Sequence, residues 1–185
     1  MAAPKQLTTL NFTGTWVLNK SLSDPNDKIL EMQGVGWIKR KAIASSSLTL
    51  HVTHDKDEHN SIERVQTKQV LSGGLSTEQK LTLNWEEKHS EGTPFGDLIV
   101  RSKRMPLAEI QDAFLKEGWT ADTVEHGVIY TRIESDTEKP EGAWSLEQVW
   151  GFEDIAGDRR HTRHVKGTDS KGDVVTARLV YDYSA

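Results

Sequence analysis

Between Leu48 and Thr53 the chain alternates strictly. Leu48, Leu50 and Val52 fall on one side of an extended backbone, and Thr49, His51 and Thr53 on the other. Period-two runs of this kind, short and punctuated by Gly, Asp, Asn or Pro, recur along most of the 185 residues, so strands dominate. The same pattern predicts strands over residues 12–19, 61–70, 78–85, 97–104, 124–134, 143–152, 159–166 and 174–183. Ser72-Gly73-Gly74 joins two of them as a hairpin, because paired glycines reach the positive φ of a tight turn, and residues 55–60 read as a polar turn. About nine or ten strands at this spacing build an all-β, mainly antiparallel sandwich or barrel rather than βαβ units.

Two helical stretches interrupt the alternation. The first starts at Ser23-Asp24-Pro25, a capping residue before a proline, and runs through Ile29, Leu30 and Met32 toward Gly34. After the Gly34-Val35-Gly36 break a second short helix carries Trp37, Ile38, Lys41 and Ala42, so residues 24–44 form a helix-turn-helix. The other stretch begins at Pro106, places Leu107, Ile110 and Phe114 at helical spacing and stops at Gly118. Its apolar side needs cover, which a strap across the outside or one end of a barrel provides.

Length and charge narrow the reading further. A chain of 185 residues buries about 70% of its unfolded surface, enough for one core and a single domain over residues 1–185. The net charge of -5 argues against a broad surface for nucleic acid, and the Arg159–Lys166 cluster splits between the two faces of a strand instead of forming a basic stripe. With no cysteine there are no disulfides, thiolate nucleophiles or thiolate metal sites. His51, His54 and His59 with Asp55, Asp57 and Glu58 match no tight ligand spacing, so no metal and no cofactor is expected. No window approaches the apolar length of a membrane span and no leader is recognisable, so a cytoplasmic protein is expected.

The run Asn11-Phe12-Thr13-Gly14-Thr15-Trp16-Val17-Leu18, a short helix, then Gly34-Val35-Gly36-Trp37 and a basic helix resembles the N-terminal signature of intracellular fatty-acid-binding proteins. That resemblance implies a calycin-type up-and-down barrel with a helical cap over one end, and it puts Trp16 near the closed end. The last strand, with Arg178 a few residues from the terminus, is similar to the family's final strand and its ligand-carboxylate arginine. Here, however, the family's Arg-x-Tyr becomes Arg178-Leu179-Val180-Tyr181, which sends Tyr181 to the face opposite Arg178. The chain also resembles small fungal calycin-like proteins, some of them recruited into natural-product pathways as cofactor-independent cyclases or isomerases.

Parity nominates the site residues. Of the six tryptophans, Trp144 and Trp150 share a face with Leu146, Gln148 and Phe152, an aromatic wall suited to a flat ligand, and Trp85 shares one with Leu81 and Leu83. Arg101 pairs in parity with Lys103, Tyr130 with Arg132, and His161 with Arg163. An inward guanidinium stabilises developing negative charge on a phenol or enol, while His161 or Tyr130 moves a proton. Arg178, which the resemblance supplies, joins His161 and Tyr130 as the candidate catalytic groups; Trp85, Arg101, Lys103, Arg132, Trp144, Gln148, Trp150 and Arg163 are the candidate substrate contacts. The function that the resemblance to the fungal calycin-like proteins implies is a cyclase or isomerase acting on a small hydrophobic, aromatic polyketide-like substrate inside the barrel. The alternatives are a non-catalytic carrier of a fatty acid or similar molecule, and a filled barrel used for protein contacts, with room for a homodimer.

Overall fold

The computed structural model describes residues 1–57, 59, 61–138 and 141–185. Its strands are β1 (Gly14–Leu18), β2 (Leu48–Lys56), β3 (Glu63–Leu71), β4 (Ser76–Thr82), β5 (Lys88–Thr93), β6 (Gly96–Met105), β7 (Val128–Ser135), β8 (Trp144–Ile155), β9 (Asp158–Asp169) and β10 (Val174–Ser184). They form one antiparallel sheet in the order β4-β3-β2-β1-β10-β9-β8-β7-β6-β5. Consecutive strands are therefore sheet neighbours except β4 and β5, which lie at the two ends of the order, and β10 returns beside β1. The sheet curls into a barrel whose ends meet where the Trp85 N–H donates to the Ser102 carbonyl at 2.8 Å and Asn84 bridges Lys103.

Alternation decides what the barrel encloses. Residues opposed across strands share a face, and the registers Arg163↔Leu179, Arg163↔Trp150 and Trp150↔Ile129 define one inward row. One end of the barrel is filled by a cluster of Phe12, Trp16, Leu50, Val52, Val65, Leu81, Trp150, Phe152 and Tyr181. A second inward cluster, Leu98, Ile133, Leu146, Val165 and Ala177, lies beneath Ile29 and Met32 of the cap helix α1 (Asp27–Met32). Met32 sits so close to Gly167 that an added Cβ would come within 2.9 Å of its sulfur. The next helix, α2 (Trp37–Ser45), buries none of its residues.

The strap differs from one helix over 106–118. It is a 3₁₀ turn at Leu107–Glu109, a link, and the four-residue α3 (Ala113–Lys116), followed by α4 (Ala121–His126), which takes residues expected to begin a strand. Asp112 causes the break: its carboxylate accepts the Leu115 N–H at 3.2 Å and restarts the helix there. The strap lies across the outside of the sheet, where Leu107, Ile110 and Leu115 pack on Val128, Tyr130 and Val149. Ser23 and Asp24 do not cap α1; they accept the Val180 and Arg178 N–H groups of β10 instead. β5 escapes sequence reading because Lys88–Thr93 is an exposed edge with no apolar alternation. Of the turn expected at 55–60, Glu58 and Asn60 lie outside the described residues.

Buried charge at the filled end dictates a pH response. Phe12 donates its N–H to His54 Nδ1, which leaves Nε2–H to donate to Glu63, and Arg104 grips both Glu63 oxygens and the Thr9 carbonyl. Burial opposes ionisation of Glu63, but these hydrogen bonds outweigh it and hold its pKa down from 4.5 to about 2. A depressed carboxylate stabilises the fold above its unfolded pKa, and that stability is lost as pH falls through the folded value. Urea unfolding between pH 4.5 and pH 2 should therefore show wild type losing about 3 kcal/mol more than Glu63→Gln. Parallel curves for the two proteins would refute the assignment.

Candidate functional site

The nominated residues separate into two groups on opposite faces of the sheet. Trp144, Gln148, Trp150, His161 and Arg163 point inward, since they share parity and register with Leu146, Phe152 and Ala177. Arg101, Lys103, Tyr130, Arg132 and Arg178 point outward, and this corrects the expectation that they line the interior. In β6 and β7 the inward places belong to Ser102, Arg104, Ile129, Thr131 and Ile133. In β10 they belong to Ala177, Leu179 and Tyr181, so Arg178 lies on the outer surface, 3.7 Å from Glu153.

Trp85 is also outside, because β4 ends at Thr82 and the alternation ends with it. At φ 62° the Trp85 backbone is left-handed, which turns the indole onto Tyr130 at 5.7 Å between centroids, with the Lys103 ammonium above it. Arg101 and Arg132 are both paired with Glu134, at 2.9 and 3.0 Å. Tyr130 donates its hydroxyl to Glu147 at 2.5 Å, and burial together with that carboxylate pushes the phenol's pKa up, so it keeps its proton.

Arg163 is the centre of the inward group. Its guanidinium carbon lies 3.5 Å over the Trp150 ring and 5.3 Å from that of Tyr181, and the whole residue is 5% exposed. Nε–H donates to His161 Nε2 at 3.4 Å, whereas Nη2 has no hydrogen-bond partner. Among the described residues no carboxylate forms an ion pair with it. Burial pulls its pKa down, yet a guanidinium remains protonated at any ordinary pH. Stacking on an indole in a dry site returns about 2 kcal/mol or more, while the burial of an uncompensated ion costs several. The imbalance leaves Nη2 short of an acceptor oxygen.

His161 is enclosed by Phe12, Trp16, Trp150, Phe152 and Tyr181, with ring centroids 4.8 to 6.2 Å away. Its Nδ1–H donates to the Gly151 carbonyl at 3.0 Å, so Nε2 is left as the acceptor for Arg163. Burial first, then the charge of Arg163, push its pKa well below the usual value and keep the ring neutral. With both nitrogens engaged and 1% of its surface exposed, it orients Arg163 instead of exchanging protons with a guest.

Beyond this pair lies a polar row in which Gln148 accepts the Trp150 indole N–H at 3.2 Å and Ser102 bonds Thr131 at 3.1 Å. Beyond that comes the apolar row of Val100, Ile133, Leu146 and Val175, under the cap. Inward-facing Gln148, Val100 and Leu179 keep part of their surface open although their strands lie mid-sheet, and so face unfilled space. A cleft of about 510 Å³ opens at the rim of the cap, between residues 34–39 and Pro94 of the β5–β6 turn. Among the described residues the interior thus presents one buried cation without an ion-pair partner, a few amide and hydroxyl groups and much apolar wall, which suits an oily molecule with one acceptor oxygen.

Two site residues escaped sequence reading. Tyr181 and Phe12 both contact the Arg163–His161 pair or its enclosure, and the signal for Tyr181 was its parity with Leu179. The guanidinium beside that tyrosine comes from β9, directly across from Leu179, instead of from β10.

No family model matches the chain. It is 29% identical over 185 residues to the probable pericyclase scpY of Mollisia scopiformis, covering 98% of this chain and 94% of that protein. It is 28% identical over 187 residues to the pericyclase pydY of an Acremonium species, covering 99% and 97%. Among solved structures it superposes on Caenorhabditis elegans lipid binding protein 8 with a TM-score of 0.59 at 15% identity, over 100% of this chain and 99% of the other. It superposes on Echinococcus granulosus fatty-acid-binding protein 1 with a TM-score of 0.56 at 19% identity, over 94% and 98%. This chain has the calycin barrel fold of the fatty-acid-binding proteins and is similar in sequence, along nearly its whole length, to two fungal pericyclases.

Proposed function

We propose that this protein is a cyclase or isomerase that encloses one hydrophobic substrate in its barrel and holds a substrate oxygen on Arg163. The observation that carries this reading is a buried guanidinium, stacked on Trp150 and steadied by His161, with Nη2 unpartnered. A carbonyl or enolate oxygen conjugated with a reacting π-system would take that hydrogen bond and gain from it as electron density moves onto the oxygen. The aromatic and aliphatic walls would fold the rest of the molecule so that its reacting carbons meet. Positioning of that kind supplies several kcal/mol of barrier reduction. Ring closure or rearrangement within one molecule moves electrons between its own bonds, so no atom enters or leaves. The similarity to two pericyclases supports this class of reaction, and a cysteine-free chain fits work in the cytosol.

The test is to incubate the purified protein with a panel of conjugated polyenones and phenolic polyketides while following tryptophan fluorescence and product mass. The expected result is quenching by at least one compound, together with a product of unchanged mass formed about a hundredfold or more above the buffer rate. Quenching by fatty acids alone, with no product from any compound, would replace this reading with that of a carrier.

A further inference from the structure

A second cleft, of about 480 Å³, lies outside the barrel beneath the strap. Its floor is the outward side of the sheet at Met105, Tyr130 and Glu147, and its wall is the strap at Ile110 and Leu115. Carboxylates outnumber cations in its lining: Glu109, Asp112 and Glu147 against Lys166. Lys166 binds Asp112 at 2.7 Å and Lys103 approaches Glu109 at 3.6 Å, so two of the acids are compensated. Glu147 is not. Among the described residues it forms no ion pair, and its one hydrogen bond comes from the neutral hydroxyl of Tyr130. Arg132 stands nearby but is paired with Glu134.

Glu147 thus mirrors Arg163 on the other side of the same sheet, a partly buried charge with a neutral partner beside an aromatic face. At this corner the Trp85 indole already carries an ammonium, that of Lys103 at 5.1 Å, so the aromatic pair attracts cations. We propose that this outer cleft is a binding site for a small amphipathic amine, with its ammonium on Glu147 and Tyr130 and its apolar body against Met105, Ile110 and Leu115. Two chemistries select for such a guest: the charge of the head group and the apolar wall that takes the body. A carboxylate of the same shape would meet Glu147 with like charge. The site shares no residue with the Arg163 chamber, so it stands or falls independently of the proposed reaction.

Three probes of one shape test it on the full chain by NMR: 2-phenylethylamine, 2-phenylethanol and phenylacetate. The amine alone should give saturable shifts at Ile110, Leu115 and Tyr130, unchanged in Arg163→Met. Glu147→Gln should weaken binding by about tenfold, the loss of one charge-assisted hydrogen bond. Gln111→Trp, which bulks the exposed rim without touching the floor, should abolish the shifts with no change in thermal midpoint, and it serves should Glu147→Gln unfold. Equal shifts from phenylacetate or 2-phenylethanol would overturn the proposal. So would wild-type affinity in Glu147→Gln, shifts confined to interior residues such as Leu179, or no saturable shift at all.

Discussion

Arg163→Met is expected to lower the turnover rate by about 10²–10³-fold while leaving the fold as stable as wild type or more so. The two halves of this outcome have one cause. A guanidinium that lacks a carboxylate partner and leaves Nη2 unsatisfied is a cost to the empty fold, so an apolar side chain of similar length relieves it. The same guanidinium is worth most when charge develops on a substrate oxygen in a site closed to water. Arg163→Lys should recover little of the rate, because an ammonium neither stacks flat on Trp150 nor presents two fixed donors. Chemical denaturation and initial rates on the same preparations check both halves. A variant several kcal/mol less stable than wild type would make Arg163 a structural residue.

Trp16→Ala should cost about 3–5 kcal/mol, against a change within about 0.5 kcal/mol for Trp37→Ala. Trp16 is fully buried, donates its indole N–H to the Phe12 carbonyl at 2.9 Å and meets Phe152, His161 and Tyr183 at their edges. Its removal leaves a cavity in the filled end of the barrel and an unpaired carbonyl beside it. Trp37, at 63% exposure on α2, loses little that water does not replace. Urea midpoints of the two variants decide this; equal losses would mean that the filled end is loosely packed.

The contrast between these tryptophans shows what the sequence makes legible. Alternation fixed relations within a strand, and so it correctly joined Trp144, Gln148 and Trp150, and His161 with Arg163. It could not say which face turned inward, because the outer face of β7 and β8 is apolar too: the strap covers Val128, Tyr130 and Val149. Tyr130 and Arg132 were misplaced for that reason. Trp85 was misplaced for another, since a left-handed backbone just past β4 resets the parity. The strap broke into pieces because one side chain, Asp112, caps a new turn. The site's central stack spans β8 and β9, with Tyr181 of β10 beside it, and strand pairing is a property of the fold that local periodicity does not carry.

The most direct measurement is a crystal structure of the protein with a turnover-competent substrate or its product bound. A guest oxygen within hydrogen-bonding distance of Arg163 Nη2, its carbon skeleton between Trp150 and the row of Ile133, Leu146 and Val175, is the result the account predicts. A guest seated elsewhere, at the rim or under the strap, with Nη2 still unpartnered and the barrel interior closed around it, would contradict it.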